Sequence, residues 1–139
     1  FFQEKGEFLI IHDWKRPWRI TGNSSVYRFK LGSFPEILPY FREHFDEIRQ
    51  KFRNEQAYLS WFVDAHGTLS YWNEDWCKSY KYHCLQKIPL AYFKPPVKPK
   101  GAKIIIFHGE INPPDAVNGG GGKWYRYVLP SDWIKEAWQ

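Results

Sequence analysis

Residues 102–109 read Ala-Lys-Ile-Ile-Ile-Phe-His-Gly, and this stretch contains the strongest predicted β-strand of the chain. The four branched or aromatic residues at 104–107 favour a buried, central strand that ends at His108. In open α/β sheets, ligands bind beyond the carboxyl ends of strands, where the His108 imidazole is expected to lie. Gly109 has no Cβ, so a ligand can approach the backbone there. A loop histidine that only bonds its neighbours is the alternative.

Several other segments have the pattern of strands. Residues 8–11 form a short apolar run typical of a buried strand. Residues 22–25, Gly-Asn-Ser-Ser, are typical of a turn, and the alternating residues 26–29 predict a strand after it. The aromatic-rich stretches at 69–72 and 76–84 also favour extended structure.

Helical patterns lie between and after these strands. Apolar residues at steps of three and four predict one helical face over 34–52, with a kink or a late helix start at Pro39. Asn54 is a predicted N-cap for a second helix, and residues 131–138 predict a terminal one. The four glycines at 119–122 predict a mobile loop. This mixture of elements predicts an α/β or α+β class.

Composition excludes several kinds of protein. With 43% hydrophobic and 25% charged residues, the chain is not a disordered segment, a collagen or a coiled coil. Its net charge of +5 favours anionic partners such as phosphates, nucleic acid or a lipid surface, without selecting among them. No apolar run approaches the roughly 20 residues of a membrane-spanning helix. There is no Walker loop, G-x-G-x-x-G, H-E-x-x-H or C-x-x-C motif.

The length and the termini bear on domain organisation. A chain of 139 residues predicts a single domain over residues 1–139. The sequence begins Phe1-Phe2-Gln3 and contains no Met, so we expect it to be a fragment of a longer protein.

Two cysteines bear on the compartment. If residues 76–84 are extended, Cys77 and Cys84 lie more than about 20 Å apart. A disulfide needs Cα atoms within about 7 Å. We therefore expect reduced thiols and a reducing compartment.

Two short polar segments are candidate binding residues. Glu55 and Gln56 would lie at a helix N-terminus, where N–H groups and the helix dipole suit sugar hydroxyls or an anion. Dipole complementarity alone also explains a first-turn glutamate. Asn23, Ser24 and Ser25 are short polar residues, and such clusters are commonly turns. No G-x-S-x-G elbow surrounds either serine, which argues against a nucleophilic serine.

Taken in chain order, these segments resemble the C-terminal half of GT-A-type, nucleotide-sugar-dependent glycosyltransferases. The resemblance is strongest to bacterial and phage members with an F-H-G-x-x-x-P ending, and it extends from Gly6 to Trp138. The segments that carry it are Gly-Asn-Ser-Ser-Val at 22–26, Arg-Asn-Glu-Gln at 53–56, Ser-Tyr-Lys-Tyr-His-Cys at 79–84 and Ile-Ile-Ile-Phe-His-Gly-Glu-Ile-Asn-Pro-Pro at 104–114.

The resemblance implies roles for the polar residues. In the related retaining galactosyltransferases and glycogenin-like enzymes, an N-S-G-V or N-A-G-V segment lines the donor sugar. This implies that Asn23, Ser24 and Ser25 bind sugar. A D-Q pair in those enzymes contacts donor and acceptor near the anomeric carbon. Glu55 and Gln56 are the corresponding pair and are implied to be catalytic, with a side chain one methylene longer in Glu55. From the Asn54 cap and the order of the motifs, we expect this pair to begin a helix within reach of residues 23–24.

The same family has an H-x-x-G-x-x-K-P-W ending with a manganese-ligating histidine and a lysine on the diphosphate. The resemblance implies that His108 binds Mn²⁺ (or Mg²⁺) and that Gly109 lies close to the diphosphate. Here the glycine follows the histidine directly, and Asn-Pro-Pro at 112–114 occupies the place of the lysine segment. The D-x-D carboxylates of the family are expected before Phe1, since Asp13 is the only Asp before Asn23.

The resemblance therefore implies an enzyme that transfers a sugar from a nucleotide-diphosphate donor to a glycan or another hydroxyl acceptor. The chain would be the C-terminal portion of a GT-A mixed sheet with flanking helices, without the N-terminal nucleotide-binding half. We expect this chain to be inactive alone. We also expect it to be cytoplasmic, a location that is compatible with peripheral contact at the inner membrane surface. No nucleic-acid partner and no transmembrane segment are expected.

Two other classes of protein remain as alternatives. The 20% aromatic content motivates a non-catalytic carbohydrate-binding module with aromatic stacking platforms. The positive charge together with the aromatics motivates single-stranded nucleic-acid binding. The sequence upstream of residue 1 would discriminate the glycosyltransferase from the carbohydrate-binding module. A D-x-D motif after an apolar strand favours the enzyme, and a signal peptide with a linker favours the module.

Overall fold

A computed structural model describes residues 3–120 and 124–138 of the chain. The chain contains both short strands and short helices, so it is a mixed α/β protein. It divides into two compact units, Phe1–Glu74 and Asp75–Gln139. The single domain over residues 1–139 stays a prediction. Within the described residues, no helix combines the length and the apolar character needed to cross a membrane.

The first unit is built on its first strand. Strand β1 (Phe8–His12) lies in the middle of a three-stranded sheet, antiparallel to β2 (Gly22–Phe29) and parallel to β3 (Leu69–Tyr71). The four apolar residues 8–11 are all buried, as expected for a strand that is covered on both faces. The prediction of a buried strand over these residues is confirmed.

Strand β2 contains a bulge. Ile10 of β1 pairs with Tyr27, whereas the next residue, Ile11, pairs with Asn23. Residues 24–26 therefore have no counterpart in β1, and an insertion of this kind bends a strand and redirects its side chains. The predicted turn at residues 22–25 is wrong, because Gly22 and Asn23 already pair with β1.

Gly22 is required where the two strands meet. A Cβ built on this residue would lie 2.6 Å from Cγ2 of Ile10, well inside van der Waals contact. A larger residue would push β2 away from β1 at the start of the bulge.

The helical face predicted over residues 34–52 forms two helices, α1 (Ile37–Glu43) and α2 (Phe45–Lys51). The late start is confirmed, because Pro39 lies in the first turn of α1, where its missing N–H removes no intrahelical bond. The chain breaks instead at His44, whose φ of −110° and ψ of 29° are not helical.

The second predicted helix is confirmed as α3 (Glu55–Ala65). Asn54 caps it, since its Oδ1 accepts a hydrogen bond of 3.2 Å from the Ala57 amide. Gly67 follows its end with a φ of +70°. Among the described residues of this unit, one core cluster contains Phe8, Ile10 and Val63, and another contains Ile48, Tyr58 and Phe62.

The second unit contains a two-stranded parallel sheet of β4 (Cys77–Ser79) and β5 (Ile104–Ile106). The prediction that residues 104–107 form a central strand is wrong, since β5 pairs with β4 alone among the described residues. Ile104 and Ile105 are only half-buried. An apolar run predicts that its side chains are buried, but it does not predict which element covers them. Ile105 and Phe107 pack against a cluster of core side chains and do not lie between two strands.

The rest of this unit is made of short helices. These are α4 (Pro113–Asn118), α5 (Asp132–Ala137) and 3₁₀ turns at Leu90–Tyr92 and Trp124–Arg126. Helix α5 confirms the predicted terminal helix. In the glycine run at 119–122, the first two residues have positive φ, and the last two lie outside the described residues. The core cluster contains Tyr80, Cys84, Ile111, Ala116, Val128 and Ile134.

The segment between the two cysteines is not one strand. After β4, Tyr80–Cys84 forms a single π-helical turn, which begins where the Ser79 hydroxyl accepts a hydrogen bond from the Tyr82 amide. The strand predicted over 76–84 is therefore wrong beyond Ser79. Cys77 and Cys84 are both buried and neither forms a disulfide, which confirms the expected thiols without the extended geometry used to predict them.

Both thiols should react slowly in the folded protein. Burial raises the pKa of Cys77 from 9.0 to about 11 and that of Cys84 from 9.0 to about 12. At pH 8 these pKa values leave about 100-fold less thiolate at Cys77 and about 1000-fold less at Cys84 than a cysteine of pKa 9.0 has, and the thiolate is the reactive form. Titration with an aromatic disulfide should therefore be at least about 100-fold slower in native buffer than in denaturant.

The denatured protein should show two thiols without any reductant. Stability should also fall as the pH rises from about 9 towards 11 and 12, because the unfolded chain then binds fewer protons than the folded one. Rapid labelling of the native protein at pH 8 would contradict the raised pKa values and therefore also the expected loss of stability above pH 9.

Candidate functional site

The bulge of β2 meets the N-terminus of α3. The Ser24 hydroxyl donates to Glu55 Oε1 at 2.9 Å, and the Ser24 amide donates to Gln56 Oε1 at 3.2 Å. The expectation that Glu55 and Gln56 begin a helix within reach of the 23–24 segment is confirmed. Ser24, Glu55 and Gln56 are brought together although more than 30 residues separate the serine from the pair.

The other two predicted residues of this segment are placed beside the contact. Asn23 Oδ1 accepts a hydrogen bond of 2.9 Å from the Ser25 amide, which stabilises the bulge locally. Ser25 is exposed, and Asn23 and Ser24 are half-buried. The predicted sugar-binding roles of these three residues stay predictions, as do the catalytic roles of Glu55 and Gln56.

A buried serine that sequence reasoning missed joins β2 to α3. The Gly22 amide donates to Ser60 Oγ at 2.8 Å, and the Ser60 hydroxyl donates to the Gln56 carbonyl at 2.7 Å. Ser60 is fully buried. Its position four residues after Gln56 is the one signal available, because a helical serine often bonds the carbonyl at i−4. The strand partner of Ser60 is visible only in the tertiary structure.

In the second unit, His108 lies two residues beyond the end of β5, as predicted. Its Nε2 and the Ser79 hydroxyl share a hydrogen bond of 2.7 Å. Ser79 is fully buried and also accepts from the Tyr82 amide at 3.3 Å, so the serine is fixed by the π-helical turn. This hydrogen bond constrains the orientation of the His108 ring.

A lysine lies beside the predicted diphosphate glycine. Gly109 has a φ of +88°, and a Cβ built on it would lie 3.9 Å from Lys81 Nζ. Lys81, His108 and Glu110 line one small hollow of the second unit. Sequence reasoning missed Lys81, because the aromatic-rich sequence of the π-helical turn that carries it has the pattern of a strand.

The second unit supplies few side chains that could bind Mn²⁺. Mn²⁺ prefers octahedral coordination by oxygen and nitrogen. The hollow offers two ligand-type side chains, His108 and Glu110. Over residues 3–120 and 124–138, no group of three or more His, Cys, Asp and Glu side chains could hold a metal ion. These residues therefore do not form a metal site by themselves, and the metal role of His108 stays a prediction.

The candidate residues fall in both units. Asn23, Ser24, Ser25, Glu55 and Gln56 belong to the first, and His108 and Gly109 belong to the second. No protein-family model, no curated protein and no solved structure matches this chain. The likeness to glycosyltransferases therefore rests on the ordered sequence motifs.

Replacing Ser60 should loosen the first-unit site. In Ser60→Ala the buried Gly22 amide loses its acceptor, which should lower the free energy of unfolding by about 1–3 kcal/mol. Ser25→Ala, at an exposed position of β2, should change the free energy of unfolding by less than about 0.5 kcal/mol. Urea unfolding followed by circular dichroism measures both. Equal effects would show that Ser60 does not hold β2 on α3.

Proposed function

We propose that this chain is the acceptor-side and metal-histidine part of a GT-A-type glycosyltransferase. The enzyme transfers a sugar from a nucleotide-diphosphate donor to a hydroxyl of a glycan or another acceptor. The observation that carries the proposal is the contact of Ser24 with Glu55 and Gln56. The resemblance assigns these two segments to neighbouring parts of one sugar site, and the hydrogen bonds between them support that assignment.

In the first unit, Asn23, Ser24 and Ser25 face the donor sugar in this proposal. Glu55 and Gln56 contact donor and acceptor near the anomeric carbon. A carboxylate accepts hydrogen bonds and a carboxamide both accepts and donates them, so the pair can fix the direction of several hydroxyls. Such fixed orientation is a large part of the catalytic effect when two substrates must meet.

In the second unit, His108 is one protein ligand of Mn²⁺ or Mg²⁺, and Gly109 lies close to the diphosphate. Such a cation, when bound, neutralises the charge of the leaving diphosphate. Ser79 acts as the outer partner of His108, since a metal-bound histidine commonly bonds through its other ring nitrogen. Lys81 takes the place of the family's diphosphate lysine, because its ammonium lies next to Gly109.

The proposal extends to the rest of the fold and to location. The fold proposed for the complete enzyme is a GT-A mixed sheet with flanking helices, of which this chain is the C-terminal portion. Two thiols outside any disulfide support a reducing, cytoplasmic location, because disulfides are rare there. The basic, aromatic loop at residues 14–19 supports peripheral contact with the inner membrane surface.

A carbohydrate-binding module is the second candidate. Trp18 and Trp124 are 76% and 74% exposed, and exposed indole rings can stack on sugar rings. Binding of a polysaccharide that requires these two residues, without any effect of a sugar nucleotide, would favour the module over the enzyme.

Replacing His108 tests the metal role. In the complete protein, His108→Ala should raise the Mn²⁺ concentration for half-maximal activity and lower turnover by roughly 10–100-fold. Ser79→Ala should raise the same concentration by a smaller factor, because the ring is kept but its orientation is not. His44→Ala, which removes an imidazole of the first unit, is the control. An unchanged Mn²⁺ dependence with full turnover in His108→Ala would exclude the metal role.

Replacing Lys81 tests the diphosphate contact separately. Lys81→Ala should weaken donor binding by roughly tenfold or more, because a charge-assisted bond to phosphate is lost. The Mn²⁺ dependence should stay close to that of the wild type. Lys103→Ala, at the opposite end of β5 from His108, is the matched control. Calorimetric titration of the nucleoside diphosphate measures both, and equal affinities in the two variants would contradict the assignment.

A further inference from the structure

The first unit has an aromatic groove that shares Glu55 with the proposed sugar contacts and is otherwise lined by residues outside them. Its volume is about 610 Å³, within the range of small-molecule sites. The rings of Phe34, Phe8, Tyr27 and Phe29 follow one another along it, with successive centroids 5.7, 6.0 and 6.1 Å apart. The groove therefore offers a row of ring faces and edges to a ligand.

Apolar surface of this groove is exposed to solvent. Tyr27 and Phe29 are exposed, and Leu38, which also lines the groove, is 61% exposed. Contiguous exposed apolar surface marks binding sites more often than scattered apolar residues do. A ligand that covers these side chains would remove their surface from water, which favours an apolar body.

One charge selects the head of that ligand. Among the described residues that line the groove, Glu55 is the one with a charged side chain. Its Oε1 accepts from the Ser24 hydroxyl, and a carboxylate has about four acceptor positions, so it can take a further donor. A hydroxyl satisfies this requirement and, unlike an ammonium, brings no second charge that must be removed from water against the apolar walls. A carboxylate or phosphate head would be repelled.

We propose that the groove binds a neutral amphipathic alcohol, with its apolar body along the aromatic row and its hydroxyl at Glu55. The groove is continuous with the candidate site, because Glu55 belongs to both. The ligand is therefore the acceptor substrate, a lipid-like or aryl alcohol. This last step rests on the proposed glycosyltransferase function, whereas the binding site itself does not.

A matched pair of probes tests the site without donor or metal. 2-(2-Naphthyl)ethanol and 2-naphthylacetate share the same ring system and differ in the head group. The alcohol should bind at least about tenfold more tightly, because the acid places a second negative charge beside Glu55. In Glu55→Gln this preference should fall below about threefold. Calorimetry or NMR titration gives the dissociation constants.

A pair of leucine variants tests the position of the ligand. Leu38→Asp should weaken binding of the alcohol by at least about tenfold, because it places a charge in the groove. Leu31→Asp changes a leucine that is 86% exposed and does not line the groove, and should leave binding within about twofold. Both sites are exposed, so circular dichroism should show that both variants are folded.

The outcomes separate the two proposals. In the complete protein, saturable binding with the expected preferences, but no metal-dependent transfer of a sugar to the alcohol, would leave the groove assigned and overturn the glycosyltransferase function. Transfer of a sugar to a glycan without binding of the alcohol would support the glycosyltransferase function and overturn the groove assignment. Equal binding of alcohol and acid, equal effects of the two leucine variants, or no saturable binding would overturn the groove assignment. So would a dimer that only Leu38→Asp dissociates, because the groove would then belong to a second copy.

Discussion

The close approach of Gly22 to Ile10 is the constraint on which the first unit depends. No side chain larger than hydrogen fits between them, so β2 starts in register with β1 and then bulges outward. The buried hydroxyl of Ser60 accepts the Gly22 amide and ties this point to α3. Ser24 reaches Glu55 only because the strand is held at Gly22 and bent directly after it.

Each unit uses a buried serine to position the residues proposed to act. Ser60 fixes a strand on a helix, and Ser79 fixes the ring of His108. Both side chains are fully buried, so their hydrogen bonds do not compete with solvent. Loss of one partner therefore leaves an unsatisfied polar group, which costs more than the bond itself contributes. In this view neither serine acts chemically, and both determine geometry.

The sequence by itself predicted the parts of the fold that local chemistry controls. The apolar run at 8–11 predicted a buried strand, Asn54 predicted a helix cap, and Pro39 predicted either a kink or a late helix start, of which the second is found. His108 was correctly expected just past a strand, because the apolar pattern ends there. The order of motifs also predicted that Ser24 and the Glu55-Gln56 pair would meet, although no local rule required it.

Only the tertiary structure decided how these parts pair. The Gly-Asn-Ser-Ser segment has the composition of a turn, yet it is a bulged strand because β1 supplies hydrogen-bond partners. The run at 104–107 is apolar enough for a central strand, yet it pairs with β4 alone among the described residues. The π-helical turn that brings Lys81 beside Gly109 has no sequence signature. Strand pairing and bulges depend on partners distant in the chain, and periodicity records only whether a side chain is buried.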